Sequence, residues 1–517
     1  MRKFIGTILL FGFVAIMPLF AQDNEAILKN TTDYLQEVKA QWKIPGMAFA
    51  VVKDGEMIYS NGFGVKELGK SDPVDASTLF QIGSVSKSFT AAVMASLVEE
   101  EKVNWNDTVK NILPDFRMYD KWVEENLQVK DIMTHHSGLQ GQLGTYIPNM
   151  GYEREDIYNM LPLLKPKYSL RGSYEYNNIT FIIASKIIEK VTGKSWEDNV
   201  RERIFKPLGM ANSRVTGDEF ASFKNVATPH SFSYLKGAAL TDSTWVDSIS
   251  VTPLIGSDAQ ALHWLSVIGP AGSISSTVED MSKYLLFHLN KGMVDSKQVV
   301  AKKQMEYLRK GHTIVSQDSA KTTLYAHCWF VEQNSRYRLY FHTGTTWGFT
   351  TLTAFVPELD LGFVILVNSE APALPRYALM RRIVELYKGY PDKDYNAKYY
   401  KEWLEDKRAS QKKRDKKAAE VEKLPAPNLN KLVGVYDKGE LFGKAVIEME
   451  NNELFITVGP KDWRSKLIHV NGNEFKFRMG GTTFETEFEF DKDGRICVGL
   501  DMQYGYTENF GIWPKIK

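Results

Sequence analysis

Cysteine is nearly absent: the 517 residues include two, Cys328 and Cys497. So few thiols exclude a disulfide framework, and no paired C-x-x-C is available to hold zinc. The two lie far apart in the sequence and fall in different expected domains, so both are expected free and buried. No H-E-x-x-H occurs among the nine scattered histidines, so a metal-dependent mechanism lacks its ligands and no metal site is assigned. An excess of one charge is missing as well, since 64 Lys plus Arg face 63 Asp plus Glu. No overall field then favours nucleic acid or an anionic membrane, and a charged ligand must be held by a local site. Beyond the N-terminal segment no apolar run is long enough to span a bilayer.

What is present is the composition of a globular chain, 43% hydrophobic and 25% charged, long enough for a large core and an appended module. Residues 1–21, "MRKFIGTILLFGFVAIMPLFA", begin with Arg2 and Lys3, run apolar and end on Ala21 before a polar stretch. This is the pattern of a signal peptide, which predicts a periplasmic or secreted bacterial protein with no membrane attachment after cleavage. No cysteine stands near the junction to carry a lipid anchor.

Periodicity divides the rest. A short amphipathic helix over about 25–42 precedes "GMAFAVVKDGEMIYSNGFG", two β-rich runs joined by Asp54-Gly55, a pair suited to a tight hairpin. From about 84 to 290 the pattern is mainly helical, after which strands return at "YRLYFHTG", "FTTLTAFVP" and "GFVILVNS", with a helix near 374–388. Hairpin, helical block, strands and helix predict a mixed α/β fold of the α+β kind, an antiparallel sheet whose long connection forms an all-helical lobe. The sheet and its helical lobe are assigned to one domain, 22–390, and a charged, solvated helical linker to 391–427. Three hairpin signals, at Asn451-Asn452, Asn471-Gly472 and Asp493-Gly494, assign 428–517 to a small antiparallel β-barrel.

A lone S-x-x-K is weak evidence, and the chain has three: Ser84/Lys87, Ser233/Lys236 and Ser410/Lys413. Ser410 falls in the charged linker and Ser233 in an irregular aromatic stretch. Only Ser84 stands at a Gly-led turn into an apolar helix, where backbone N–H groups are free to face an oxyanion and an amine one turn on can be enclosed. A serine hydroxyl needs a base, and lysine serves only if burial lowers its pKa by several units; Phe89, Val93, Met94, Leu97 and Val98 supply that enclosure. In "GSYEYNNITF", Tyr176 can relay protons and Asn178 can orient lysine and substrate. An earlier Tyr59/Asn61 copy lies in the N-terminal hairpin and is set aside. In "FHTGTTWGF", Gly344 would let a substrate backbone approach the strand edge and the N–H of Thr345 could donate to an oxyanion. His136-Ser137-Gly138 mimics that pattern at a helix end and reads as a structural turn.

S-x-x-K, Y-x-N and H-T-G in this order resemble the penicillin-recognising serine hydrolases, in the branch of class C β-lactamases, secreted DD-peptidases, D-aminopeptidases and related esterases. "LFQIGSVSKSFTA", "DIMTHHSGL" and "GPAGSISSTVEDMSKYL" are similar to that family's wording. The resemblance runs from about 27 to 390 and implies a β-lactamase/transpeptidase-like fold with no cofactor. It implies Ser84 as nucleophile, Lys87 and Tyr176 as acid–base pair, and Asn178 as orienting group. Backbone N–H groups of Ser84 and Thr345 would bind the oxyanion, and His342 with Thr343 the substrate's anionic end. Histidine at 342, where β-lactamases usually carry lysine, favours a peptidase on D-amino-acid-containing peptides, with a β-lactamase, an esterase or a non-catalytic cell-wall peptide binder as alternatives. As an anion-recognising cation, His342 would make activity fall above neutral pH. Arg336 and Arg338 are the nearby arginines for a carboxylate, with no reason to choose between them. The C-terminal barrel resembles a lipocalin-like module. The expected partner is a small peptide or β-lactam-like substrate; oligomeric state is left unassigned.

Overall fold

The computed structural model describes residues 24–234, 249–254, 259–439, 442–494, 497–504 and 508–517; the expected signal segment and Lys236 lie outside them. Helix α1 (Asn24–Gln41) buries Thr31, Tyr34, Leu35 and Val38, the three- and four-residue spacing of one helix face. Strands β1 (Gly46–Lys53) and β2 (Glu56–Gly64) follow as a hairpin. Its turn places Asp54 at φ 52° and Gly55 at φ 87°, the left-handed pair that matches the twist of the flanking strands.

Six later strands complete the sheet: β3 (Thr313–Gln317), β4 (Lys321–Tyr325), β5 (Phe330–Asn334), β6 (Arg338–Thr346), β7 (Phe349–Val356) and β8 (Leu361–Val367). The order is β2-β1-β8-β7-β6-β5-β4-β3, antiparallel at every pairing. Alternation along β1 explains why both faces are covered. Ala48, Ala50 and Val52 join the core with helix α2 (Ser86–Glu99), while Met47, Phe49 and Val51 join a second core with α1 and helix α3 (Leu374–Tyr387). The long connection between β2 and β3 forms the helical lobe.

One register detail positions the site. Strand β5 pairs with β6 only from Gln333↔Arg338 to Phe330↔Phe341, so among the described residues no strand lies beside 342–346 of β6 on that side. They form a free edge facing the lobe.

The charged helix, Tyr395–Glu420, is less solvated than its composition suggests. Tyr400 and Trp403 are buried and pack edge-on against Trp42, whose indole donates to Asn396 at 2.8 Å. Two aromatics three residues apart give the first turns an apolar face that the charge count concealed.

The C-terminal strands run in sequence order from Gly434–Asp437 to Glu508–Pro514 as a nearly closed, eight-stranded antiparallel barrel. Backbone bonds from Val435 N to Lys517 O and from Ile516 N to Val435 O join its first and last strands. Asn451 and Asn452 both take positive φ in one hairpin. Phe475, Phe477, Phe484, Phe488, Met502 and Trp513 point inward and fill the interior. The barrel docks beside the cleft: Asn149 donates to Thr482 at 2.7 Å, Gly480 N to Gln260 at 2.7 Å, and Lys461 pairs with Glu153 at 2.8 Å. Both cysteines are free and buried, one in each domain.

Burial of histidine carries a prediction. His135, His288, His327 and His342 are almost wholly buried, and burial, the first cause at each, holds all four below the usual imidazole range. An unfolded histidine takes its proton at about pH 6.5, whereas the folded ones resist it, so the unfolded chain binds more protons as pH falls below that value. The contribution of these rings is therefore full above about pH 6.5 and is lost below it, by up to about 1.4 kcal/mol per pH unit for each such ring. Urea midpoints at pH 7, 6 and 5 should drop steeply; equal midpoints would contradict the burial of these rings.

Candidate active site

Gly83–Val85 forms a single 3₁₀ turn that runs directly into α2, and residues 86–97 of that helix are all buried. Ser84 and Lys87 therefore face each other one turn apart, with Lys87 Nζ 3.0 Å from Ser84 Oγ. The amine is 0% exposed and donates to the carbonyl of Ala271 at 2.9 Å. It lies 4.7 Å from the ring centre of Tyr176 and 5.3 Å from that of Phe181. No carboxylate pairs with it, so burial alone pushes the ammonium down to about 7. A neutral amine that donates to Ala271 keeps its lone pair for the Ser84 hydroxyl. Tyr176 hydrogen-bonds with Ser84 from the other side, and burial raises the phenol above its ordinary range, keeping it protonated.

Strand β6 reaches the turn that carries Ser84 by backbone contact. A Cβ at Gly83 would lie 2.7 Å from Thr345 N, and one at Gly344 would lie 1.9 Å from Ile82 O. Gly344 must be glycine because the turn before Ser84 packs on it, a demand that the sequence did not reveal; its neighbours Thr343 and Thr345 line the cleft. This pair of glycines lets Thr345 N approach the turn that carries Ser84. Arg376, 3% exposed, donates from Nη1 to Gly344 O at 3.2 Å and Thr351 O at 3.0 Å. Burial lowers it only to about 10, so it remains a cation on the carbonyl of the very peptide unit whose N–H belongs to Thr345. That charge polarises the unit and strengthens the donor.

Two expectations are corrected. His342 is not a cation: 1% exposed, it sits with Nδ1 2.7 Å from Thr343 O and Nε2 3.1 Å from the Tyr325 hydroxyl. The carbonyl fixes the proton on Nδ1, and burial, with Lys87 nearby, pushes the ring down to about 3. The expected loss of activity above neutral pH therefore has no titrating group behind it. Asn178 lines the cleft but does not orient Lys87; its amide donates to Gln142 at 3.1 Å and Thr145 at 3.3 Å, bracing the loop opposite. Arg336 pairs with Glu385, and Arg338 bonds Gln333. Both stand at the other end of β6, at least four residues of about 3.3 Å each from the free edge.

The remaining copies of the motifs fall outside the cleft. Ser410 and Lys413 ride the exposed part of the charged helix, Ser233 is an exposed strand residue, Tyr59 and Asn61 lie on the edge strand β2, and His136 bonds Thr313 at 2.9 Å. From the irregular stretch 213–268, Trp264 and Ile268 form one wall. Residues 235–248 and 255–258 of that stretch lie outside the described residues. Sequence reading missed Arg376, the Ala271 carbonyl, Tyr325 and His135, whose ring is 4.3 Å from that of Tyr176. Arg376 between apolar neighbours near the start of α3, "ALPRYALM", was the one visible signal; backbone acceptors leave none.

The cleft of about 510 Å³ that holds Ser84, Tyr176, Asn178 and the free edge of β6 lies between sheet and lobe. Among solved structures, the octameric penicillin-binding protein homologue from Pyrococcus abyssi superposes with a TM-score of 0.59 at 20% identity, covering 93% of this chain and 98% of that one. At that identity the likeness is one of fold. Among curated sequences, the "Unguisins hydrolase ungD'" of Aspergillus campestris is 28% identical over 415 residues, 77% of this chain and 71% of its own length. Protein flp of Staphylococcus aureus is 22% identical over 337 residues, 64% of this chain, which spans only 61% of the staphylococcal protein. Residues 32–388, which span the sheet, the lobe and every group at this cleft, match the Beta-lactamase family, and the chain is a member of that family of serine hydrolases.

Proposed function

We propose that this protein hydrolyses small peptide-like amides through an acyl-enzyme on Ser84, with peptides containing D-amino acids as the expected substrates. The observation that carries the reading is the buried amine of Lys87, close to half neutral at pH 7, 3.0 Å from Ser84 Oγ and without a carboxylate partner. A merely structural lysine would be paired or exposed. In the proposed sequence the Ser84 hydroxyl gives its proton to Lys87 as Oγ bonds the substrate carbonyl carbon, and the carbonyl oxygen becomes an oxyanion facing the Ser84 and Thr345 N–H groups. Tyr176, held protonated, donates to the leaving nitrogen as the C–N bond breaks, and is reprotonated from Lys87. Water then attacks the ester along the reverse proton path and releases Ser84.

The same nucleophile and donors would accept a lactam or an ester, and rates on a D-amino-acid peptide, a cephalosporin and a p-nitrophenyl ester would rank the three. Export and a soluble life in the periplasm or medium remain part of the proposal, supported by residues 1–21. The deciding experiment is intact-mass analysis after a fluorophosphonate: one adduct is expected on the native chain and none on Ser84→Ala. An unlabelled native chain, or a labelled Ser84→Ala, would refute the mechanism and leave a peptide-binding protein of the same fold.

A further inference from the structure

The cleft around Ser84 is large enough for a short peptide, yet among the described residues that line it none is a Lys, Arg, Asp or Glu. Fifteen described residues line it, and each is a hydroxyl, an amide, an aromatic, an aliphatic, a glycine or the ring of His342. Two basic side chains lie close by, and both are turned away. Lys87 is enclosed behind Ser84 with Ala271 and Ser84 as its partners. Arg376 is buried beneath β6 with its Nη1 on two backbone carbonyls. His342 has both ring nitrogens occupied, by Thr343 O and Tyr325 Oη, and no Asp or Glu is among the lining groups.

From this we infer that the site takes substrates uncharged on both sides of the scissile carbonyl: an internal peptide bond, a capped amide or an ester, in place of a bond next to a free carboxylate or a free ammonium. The inference rests on the acyl-enzyme reading above and narrows it, because it sets aside cleavage of D-amino-acid peptides next to a free carboxyl or amino terminus. The physical reason is desolvation. A carboxylate entering this cleft gives up water and meets no counter-ion. Neutral amides lose far less, and the free edge of β6 with the hydroxyls of Thr343, Thr345 and Thr145 supplies the hydrogen-bond partners they need.

The test uses the full chain, first titrated with a fluorophosphonate so that active Ser84 is counted. One short peptide ending in D-Ala-D-Ala is then offered in four forms: N-acetylated with a C-terminal amide, N-acetylated with a methyl ester, N-acetylated with a free carboxylate, and amidated with a free N-terminus. The two blocked forms are expected to exceed both ionised forms by at least about tenfold in kcat/KM at 150 mM salt, a difference of about 1.4 kcal/mol. Equal or better turnover of either ionised form by a chain that does label would overturn the inference and leave the acyl-enzyme reading standing. A chain that takes no label would overturn both.

Discussion

Lys87→Met is expected to lower kcat/KM by roughly 10²–10⁴-fold, the range for removing a positioned base, and at the same time to raise the unfolding temperature. The two effects share one cause. An unfolded lysine holds its proton to about pH 10.4, whereas the folded amine, enclosed by Phe181, Tyr176 and Ala271, holds it only to about 7. Between those values the unfolded chain binds more protons, so the native state gains stability as pH rises through the window. At pH 7 and below the whole desolvation penalty stands. Methionine has nearly the same length and no charge to desolvate, so the gain in stability should be largest at pH 7 and below and vanish toward pH 10.4. Each pKa unit corresponds to about 1.4 kcal/mol, which puts the ceiling at several kcal/mol. Calorimetry at pH 6.5 and 9.5 on both chains checks it; a variant destabilised at both values would mean that Lys87 is held as an ion. In the native enzyme kcat/KM should rise with pH to a plateau, half-maximal at about pH 7.

Gly344→Ala is the second large effect, expected to reduce kcat by about 10²-fold with little change in KM. The new methyl would lie 1.9 Å from Ile82 O and 2.8 Å from Ile82 C. Those are backbone atoms of the turn that delivers Ser84, and cannot rotate aside as a side chain would. The turn must move away from β6 by about 1 Å or more, which separates the Ser84 and Thr345 N–H groups and misaligns the nucleophile. Substrate pairing along the free edge uses residues on either side and should persist. A rise in KM at unchanged kcat would instead favour the sequence-based idea that Gly344 makes room for substrate. Circular dichroism and a melting curve establish that the variant is folded.

The sequence was most legible where chemistry is local. Asp54-Gly55 and Asn451-Asn452 fold as tight turns because their short polar or absent side chains tolerate positive φ. Ser84 and Lys87 meet because a helix returns to the same face after one turn. Legibility declined where partners come from elsewhere. Tyr400 and Trp403 were hidden among charges until Trp42, more than 350 residues away, covered them. Arg376 was passed over because its acceptors are main-chain oxygens of β6 and β7, which no residue type announces.

By itself, then, the sequence determined which side chains are available and how neighbours within a turn or hairpin face one another, since those relations depend only on backbone geometry over a few residues. Tertiary structure alone decided their protonation and their work: a neutral ring at His342, an amine near neutrality at Lys87, a glycine at 344 that admits Ile82, and a cleft whose described lining holds no Lys, Arg, Asp or Glu. These are sums over groups brought in from distant parts of the chain, among them Phe181, Ala271, Tyr325 and Ile82. Desolvation depends on everything within a few ångströms, and the order of residues does not record it.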